Sequence, residues 1–214
     1  MSALQMTCGP SPESSSAPVL ETDRLILRTP SIDNAAAVAK LANNRKIAEM
    51  TALLPHPYGL EDATQWIASL PAKTDHWNFG IFAKDGGKLV GVCGYGKRCG
   101  PDKGPEIGYW IGEPFWGQGY ATESVRAVID HLFSTTALDE IAAGCRVTNV
   151  ASKRVLEKCG FQWTGAALFR VSALGASVPA DQFRLERRNW ASLRAWGQSE
   201  LPKIAVTGKK KAAR

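Results

Sequence analysis

Gly117 and Gly119 stand two residues apart between a strand-like run and a helix-like run, an order of residue types suited to holding phosphate. From Glu106 to Ile111, Ile107, Tyr109 and Ile111 alternate with Glu106, Gly108 and Trp110, the period of a half-buried strand. After the glycines, Ala121, Val125, Val128, Ile129 and Leu132 share one helical face. Glycine lets the backbone approach a ligand closely, and the first helical N–H groups lack partners within the helix. They converge with the positive dipole end on an anion. Gly117, Gln118, Gly119, Tyr120, Ala121 and Thr122 are therefore a candidate pyrophosphate cradle acting mainly through backbone groups, although Gly-x-Gly before a helix also serves as a plain tight turn. The pattern is not Gly-x-Gly-x-x-Gly, because Thr122 replaces the third glycine, and no Gly-Lys-Ser/Thr follows to make a P-loop.

A second stretch, from Val147 to Phe161, has the pattern of a strand end followed by a helix. The helix opens at Asn149, carries apolar Ala151, Val155, Leu156 and Cys159, and stops at Gly160. Together these stretches resemble the GNAT superfamily of acetyl-coenzyme A dependent N-acetyltransferases. The resemblance is carried by Glu-Ile-Gly-Tyr-Trp at 106–110, Trp-Gly-Gln-Gly-Tyr-Ala-Thr-Glu at 116–123, and Asn149-x-x-Ser152 followed by Glu-Lys-Cys-Gly-Phe at 157–161. Within the superfamily they look most like the branch that acetylates ribosomal-protein N-termini, the ribosomal-protein-alanine N-acetyltransferases among them. Weaker similarity covers roughly residues 21–190, including Glu21-Thr-Asp-Arg-Leu-Ile-Leu-Arg28 and Leu54-Pro-His-Pro-Tyr58. The superfamily signature has Gln or Arg where Pro114 stands, a change that a cradle made of backbone N–H groups tolerates.

The resemblance implies a single-domain α/β (α+β) GNAT fold. Its mixed, mostly antiparallel sheet would be flanked by helices and splayed between the fourth and fifth strands, here around Trp110 and Cys145. Acetyl-coenzyme A would be the co-substrate, with no metal, its pantetheine arm pairing with open backbone groups in the gap, including those of Trp110 and Ile111. Acetyl transfer from a thioester to an amine needs a neutral nucleophile, a stabilised oxyanion and a proton for the departing thiolate. For the base the resemblance points to Glu106 at the head of the central strand, with a plain strand-end glutamate as the bland alternative. Glu123 is its rival, although one turn into the helix it also simply favours the positive N-terminus. A backbone N–H near Trp110 or Ile111 would meet the oxyanion. Ser152 is the candidate acid, a role tyrosine fills in many relatives. Asn149 would bond the pantetheine arm, cap its helix, or both. Lys153 and Arg154 either touch nucleotide phosphates or form a solvated face. The amine would enter from the opposite side of the sheet, past 50–58 and 168–183, with Glu106, His56 and Tyr58 as substrate-binding candidates and His56 as a further base. The expected acceptor is a protein N-terminus. A small-molecule or antibiotic amine is the alternative, and a non-catalytic acyl-coenzyme A sensor or scaffold is the reading from another class.

The whole chain is consistent with this. With 214 residues and 44% apolar composition, one well-buried domain is expected at 21–198, between an N-terminal tail at 1–20 and a basic tail at 199–214. No apolar run reaches a membrane span and Met1 to Leu20 lacks signal-peptide features, so a cytoplasmic protein is expected. Five cysteines without a Cys-x-x-Cys pair and three scattered histidines indicate neither a disulfide framework nor a metal site. Of the net charge of +6, five units come from Lys203, Lys209, Lys210, Lys211 and Arg214, leaving the body near neutral. That tail is either solvated or a weak contact for ribosome or nucleic acid. Monomer and homodimer both remain open.

The positioning elements follow in order. A strand at 24–28 precedes a helix to about Asn43, capped by Ser31 or Asp33, then an irregular segment to Tyr58 and a helix carrying Ala63, Trp66, Ile67 and Leu70. A hairpin turns at Asp85-Gly86-Gly87, and a turn-rich connection at 99–105 leads to the central strand and cradle helix. A strand at 141–147 and the Asn149 helix come next. Late strands at 161–164 and 183–187 flank a loop at 173–180, and a terminal helix runs from about Trp190 to Trp196.

Overall fold

Residues 18–70, 77–97 and 104–198 are described by the computed structural model. Residues 1–17 of the expected N-terminal tail at 1–20, the expected tail at 199–214, Cys8, His76, Cys99 and most of the 99–105 connection lie outside them. Eight strands form one sheet: β1 (Leu20–Glu21), β2 (Leu25–Arg28), β3 (Trp77–Ala83), β4 (Leu89–Lys97), β5 (Pro105–Ile111), β6 (Glu140–Arg146), β7 (Gln162–Val171) and β8 (Ala176–Glu186). Their order is β1-β2-β3-β4-β5-β6-β8-β7. Every neighbouring pair is antiparallel except β5 and β6, which run parallel.

That parallel pair is where the sheet opens. Only Glu106↔Ala142 and Ile107↔Ala143 are in register, after which β5 continues on β4 alone while β6 stays paired with β8 as far as Arg146↔Ala180. The gap therefore lies between Trp110 and Cys145, as the resemblance implies. It falls between the fifth and sixth strands in this numbering because the two-residue β1 adds one to the count.

Helices cover both faces. On one, α4 (Tyr120–Thr135) buries Val125, Val128, Ile129 and Leu132 against Leu25, Leu27, Phe79, Ile81 and Val90. Each such side chain contributes about 1.5–3 kcal/mol when fully removed from water. On the other, α1 (Ala35–Ala42) and α3 (Leu60–Ser69) pack Val38, Ala42, Ala63 and Ile67 on Phe82 and Leu89. Between these two helices lies the short α2 (Arg45–Ala48). Asn149 opens α5 (Val150–Lys158), and α6 (Arg187–Gln198) follows β8. Arg187 caps the end of α4 by donating to the carbonyls of Phe133, Thr136 and Leu138 at 2.5–2.7 Å.

Three local features differ from the sequence reading. β1 straddles the expected boundary between tail and domain, and α2 occupies a stretch expected to be irregular. The loop expected at 173–180 is mostly strand, because Ala176 to Ala180 pair residue by residue with Val171 to Ala167, and the turn shrinks to Ser172–Gly175 with Gly175 at φ +61°. Small residues suggest a turn, yet ladder bonds come from the backbone. Pro179, which lacks an N–H, sits just beyond the last β6 partner. No helix among the described residues is long and apolar enough to cross a membrane.

Candidate active site

The chain between β5 and α4 is shaped by two glycines in the left-handed region, Gly117 at φ +75° and Gly119 at φ +81°. Gly119 is the N-cap of α4, and having no side chain it leaves the first-turn amides without a side-chain cap. Gly117, Gly119, Tyr120, Ala121 and Thr122 line a cavity of about 1450 Å³ that continues past β5 to Met50, Tyr58 and Trp66 on the opposite face. Gln118 is the exception within the expected cradle: it does not line the cavity. Its amide folds back onto the Pro114 carbonyl at 3.3 Å, and its own carbonyl accepts from Arg24 Nη1 at 3.0 Å.

Arg24 and Glu123 brace this loop. Glu123 accepts from Thr22 Oγ1 at 2.6 Å, from the Arg24 backbone at 3.0 Å and from Arg24 Nε at 2.7 Å, and Arg24 also lies over the Tyr120 ring at 4.9 Å. Partial burial pushes the Glu123 pKa up, but the bonds from Thr22 and Arg24 outweigh it and hold the carboxyl below its ordinary value. The rival base of the sequence reading is thus held as an anchor.

Ladder alternation decides which β5 groups reach the gap. Gly112 N–H donates to the Val90 carbonyl at 2.8 Å, so the backbone of Trp110, opposite Val92, also faces β4, while those of Tyr109 and Ile111 face the gap. Of the two expected backbone contributors, Ile111 keeps its N–H towards the gap, its carbonyl accepting from Trp116 Nε1 at 2.6 Å. Trp110 is corrected: its backbone belongs to the ladder, and its side chain walls the cavity and packs against the second core.

Ser152, in the first turn of α5, meets Tyr109. The two hydroxyls are 2.9 Å apart, and the phenol also donates to the Ser152 carbonyl at 3.2 Å. Burial raises the Tyr109 pKa and the bond to Ser152 offsets only part of that. A protonated donor is thus kept beside the gap. Asn149 Oδ1 accepts from the Ser152 N–H at 3.1 Å, so its capping role is real, and it lines the cavity as well. Glu106 lies across β5: side chains at 106, 108 and 110 project to the face opposite that of 107, 109 and 111. A Cβ on Gly144 would lie 3.3 Å from Glu106 Oε1 and 3.4 Å from Gln182 Nε2, so the bare glycine is the space in which these two side chains converge.

Tyr58 lines the far side of the cavity, its hydroxyl pushed up to about 12 by burial and then by Asp62. His56 does not line it. It is exposed in the turn before Tyr58, and it is Tyr58 that is directed inward. Arg154 lines the cavity, whereas Lys153 pairs with Asp181 at 3.7 Å. Cys93, Cys145 and Cys159 are buried free thiols, and no group of three potential metal ligands occurs among the described residues. Sequence reasoning missed Arg24, Tyr109 and Gln182 as parts of the site. Only Tyr109 carried a local signal, a hydroxyl on the apolar face of the central strand.

The arrangement has a glycine turn with uncapped first-turn amides, a gap edged by backbone donors, a hydroxyl pair on one face and a carboxylate on the other. The family model of the acetyltransferase (GNAT) domain matches residues 24–162. The uncharacterized N-acetyltransferase YoaA of Bacillus subtilis (strain 168) is 32% identical over 157 residues, covering 69% of this chain and 85% of that protein. The ribosomal-protein-serine acetyltransferase of Escherichia coli (strain K12) is 35% identical over 83 residues, 39% of this chain and 45% of that protein. A solved RimL, a ribosomal L7/L12 alpha-N-protein acetyltransferase in complex with coenzyme A, shares the fold with a TM-score of 0.69 at 20% identity, covering 79% of this chain and 98% of that one.

Proposed function

Because the chain belongs to the GNAT family of acetyltransferases and is an acetyl-coenzyme A dependent N-acetyltransferase, we propose that its acceptor is a primary amine, in first place a protein N-terminal α-amine. The observation that carries this reading is the single cavity joining the α4 cradle to Glu106 on one face of β5 and to the Tyr109–Ser152 hydroxyls on the other. In the transfer, the amine nitrogen bonds to the acetyl carbonyl carbon as the carbon–sulfur bond breaks. Acetyl-coenzyme A supplies the activated thioester for that exchange.

The chain's own residues divide the remaining work. First-turn amides of α4 hold the pyrophosphate, and Asn149 orients the arm that leads from it. Glu106 takes the proton that the amine loses, directly or through water. The Ile111 N–H meets the charge that develops on the carbonyl oxygen. The hydroxyl pair returns a proton to the thiolate. An α-amine, with a pKa of about 7.7–8.0 against about 10.4 for lysine, needs little help to become neutral, which suits a single half-buried carboxylate as base.

The resemblance to ribosomal-protein acetyltransferases and the Escherichia coli relative support the N-terminal acceptor. The test is release of free coenzyme A thiol on mixing the protein with acetyl-coenzyme A and a panel of N-terminal peptides and small amines. Turnover of peptides supports the reading, and turnover of small amines alone overturns the N-terminal acceptor. Absence of release with every amine, despite thermal stabilisation by coenzyme A, marks a non-catalytic binding module. Glu106→Gln is expected to lower kcat/KM about 100-fold, and a loss smaller than about threefold removes Glu106 from the base role.

A further inference from the structure

Beyond β5, on the side of α1 and α3, the cavity has a wall of Met50, Leu53, Leu54, Trp66 and Phe169. Its charged groups are sparse. Glu106 lies deep beside Gly144, and Asp62 stands at the exposed rim, its carboxylate fixed by the Gly59 N–H at 2.7 Å. The cation lining this half among the described residues is Lys46, and its ammonium is closed on Glu113, which also accepts from Asn44 at 2.6 Å. Arg154 and Lys158 belong to α5, on the cradle side. Arg146, at the end of β6, donates to the Glu49 carbonyl at 2.8 Å.

We propose that this half of the cavity selects amines carried on an apolar or aromatic group and rejects those with a carboxylate next to the amine. The proposal rests on the acetyl-transfer reading and deepens it to the class of acceptor. An ammonium group is drawn inward by two carboxylates, and an apolar first side chain removes the leucine and aromatic surfaces from water. A carboxylate on the acceptor meets two like charges, and the cation among the described residues lining this half, Lys46, is already closed on Glu113, so it loses its hydration without a partner there.

The wall is formed in advance. Ser172 N–H donates to the Ala52 carbonyl at 2.9 Å, and Arg146 holds Glu49, so the segment carrying Met50, Leu53 and Leu54 is tied to the β7–β8 turn and to β6. Little ordering remains for binding to accomplish. Leu53 is 86% exposed at the rim, so it can be changed without disturbing the core.

The test uses the full chain with acetyl-coenzyme A and peptides identical except for a first residue of Phe, Leu, Ala or Glu. Phenethylamine and γ-aminobutyrate, run alongside, separate a peptide source of the apolar amine from a small-molecule one. Coenzyme A thiol release should give kcat/KM at least about tenfold higher for the Phe and Leu peptides than for the Glu peptide, and the same order for the two small amines if these turn over. Leu53→Arg, which places a cation at the rim, should raise kcat/KM for the Glu peptide about threefold or more and leave KM for acetyl-coenzyme A unchanged. Equal or better turnover of the acidic acceptors, or an unchanged ratio in Leu53→Arg, overturns the proposal and leaves acetyl transfer standing. If no acceptor releases thiol although coenzyme A raises the Tm, the acetyl-transfer reading falls and this proposal with it.

Discussion

Arg24 Nη2 lies 2.6 Å from Glu123 Oε2, and from that anchored position Arg24 Nη1 donates to the carbonyl of Gln118, in the middle of the glycine turn. One guanidinium thereby joins the start of β2, the first turn of α4 and the loop between β5 and α4. Because this clamp holds the turn proposed as the cradle, we propose Arg24 as a positioning residue for the coenzyme. Arg24→Ala should raise KM for acetyl-coenzyme A about three- to tenfold, corresponding to about 1 kcal/mol for a charged contact discounted for its half-exposed side chain. KM for the acceptor should stay within about twofold. Arg24→Lys keeps a charge near Glu123 but lacks the fork that also reaches Gln118, so it should fall between the two. Initial rates over varied acetyl-coenzyme A, with thermal melts in its absence and presence, separate this role from a general loss of stability.

Glu123 gives the clamp a pH dependence of definite sign. Burial favours its neutral form, but the bonds from Thr22 and Arg24 prevail and depress the folded-state pKa. A depressed carboxylate contributes stability above its unfolded pKa of about 4.3, and that contribution is lost as pH falls through the folded value. Melting from pH 7 to pH 3 should therefore show a steeper acid decline for the parent than for Glu123→Gln. At pH 7 the variant should melt about 2–4 °C lower, the shift that about 1 kcal/mol causes in a chain of this size.

Gly119 tests the cradle. At φ +81° a Cβ is strained, by about 1–2 kcal/mol, and it would lie 3.3 Å from Arg24 Nη2, the mobile end of a side chain. Gly119→Ala should fold with a modestly lower Tm and weakened coenzyme binding. Gly119→Trp sets an indole where backbone and ligand must approach closely, and coenzyme A should no longer raise its Tm. Retained stabilisation by coenzyme A in a folded Gly119→Trp protein would remove the phosphate role from this turn.

What was legible in the sequence was what depends on neighbours in the chain. The glycines need positive φ, the helix after them shows its buried face every three or four residues, and Asn149 caps its own helix. Arg24 was not legible as part of the cradle because its partners Gln118 and Glu123 lie 94 and 99 residues away. The β7–β8 hairpin is longer than its sequence suggests, because alanine, serine and proline point to a turn whereas ladder pairing needs only backbone. His56 resembled a mouth residue by its place beside Tyr58, but only Tyr58 is buried. The strand period places Tyr109 with Ile107 and Ile111 on the apolar face. It belongs there, yet a hydroxyl arriving 43 residues later in α5 makes that part of the core polar.

The Tyr109–Ser152 pair bears on how the thiolate obtains its proton. Burial raises the phenol's pKa, the Ser152 bond lowers it in part, and the buried thiols of Cys159, Cys145 and Cys93 raise it further. An acid must be protonated to act, so activity that depends on it is lost only as pH rises through its pKa. With that pKa above the ordinary value near 10, kcat of the parent should show no decline attributable to Tyr109 between about pH 7 and 10. Because each hydroxyl can donate to the other across 2.9 Å, the two form one proton-delivering unit in the proposed reaction. Tyr109→Phe and Ser152→Ala should each lower kcat about 10- to 100-fold while KM for acetyl-coenzyme A stays within about threefold. Groups in one relay are not additive, so the double variant should fall no more than about threefold below the weaker single one. Multiplying losses in that cycle would show that the hydroxyls serve separate steps, and kcat within about threefold of the parent in both single variants would remove the pair from the chemistry.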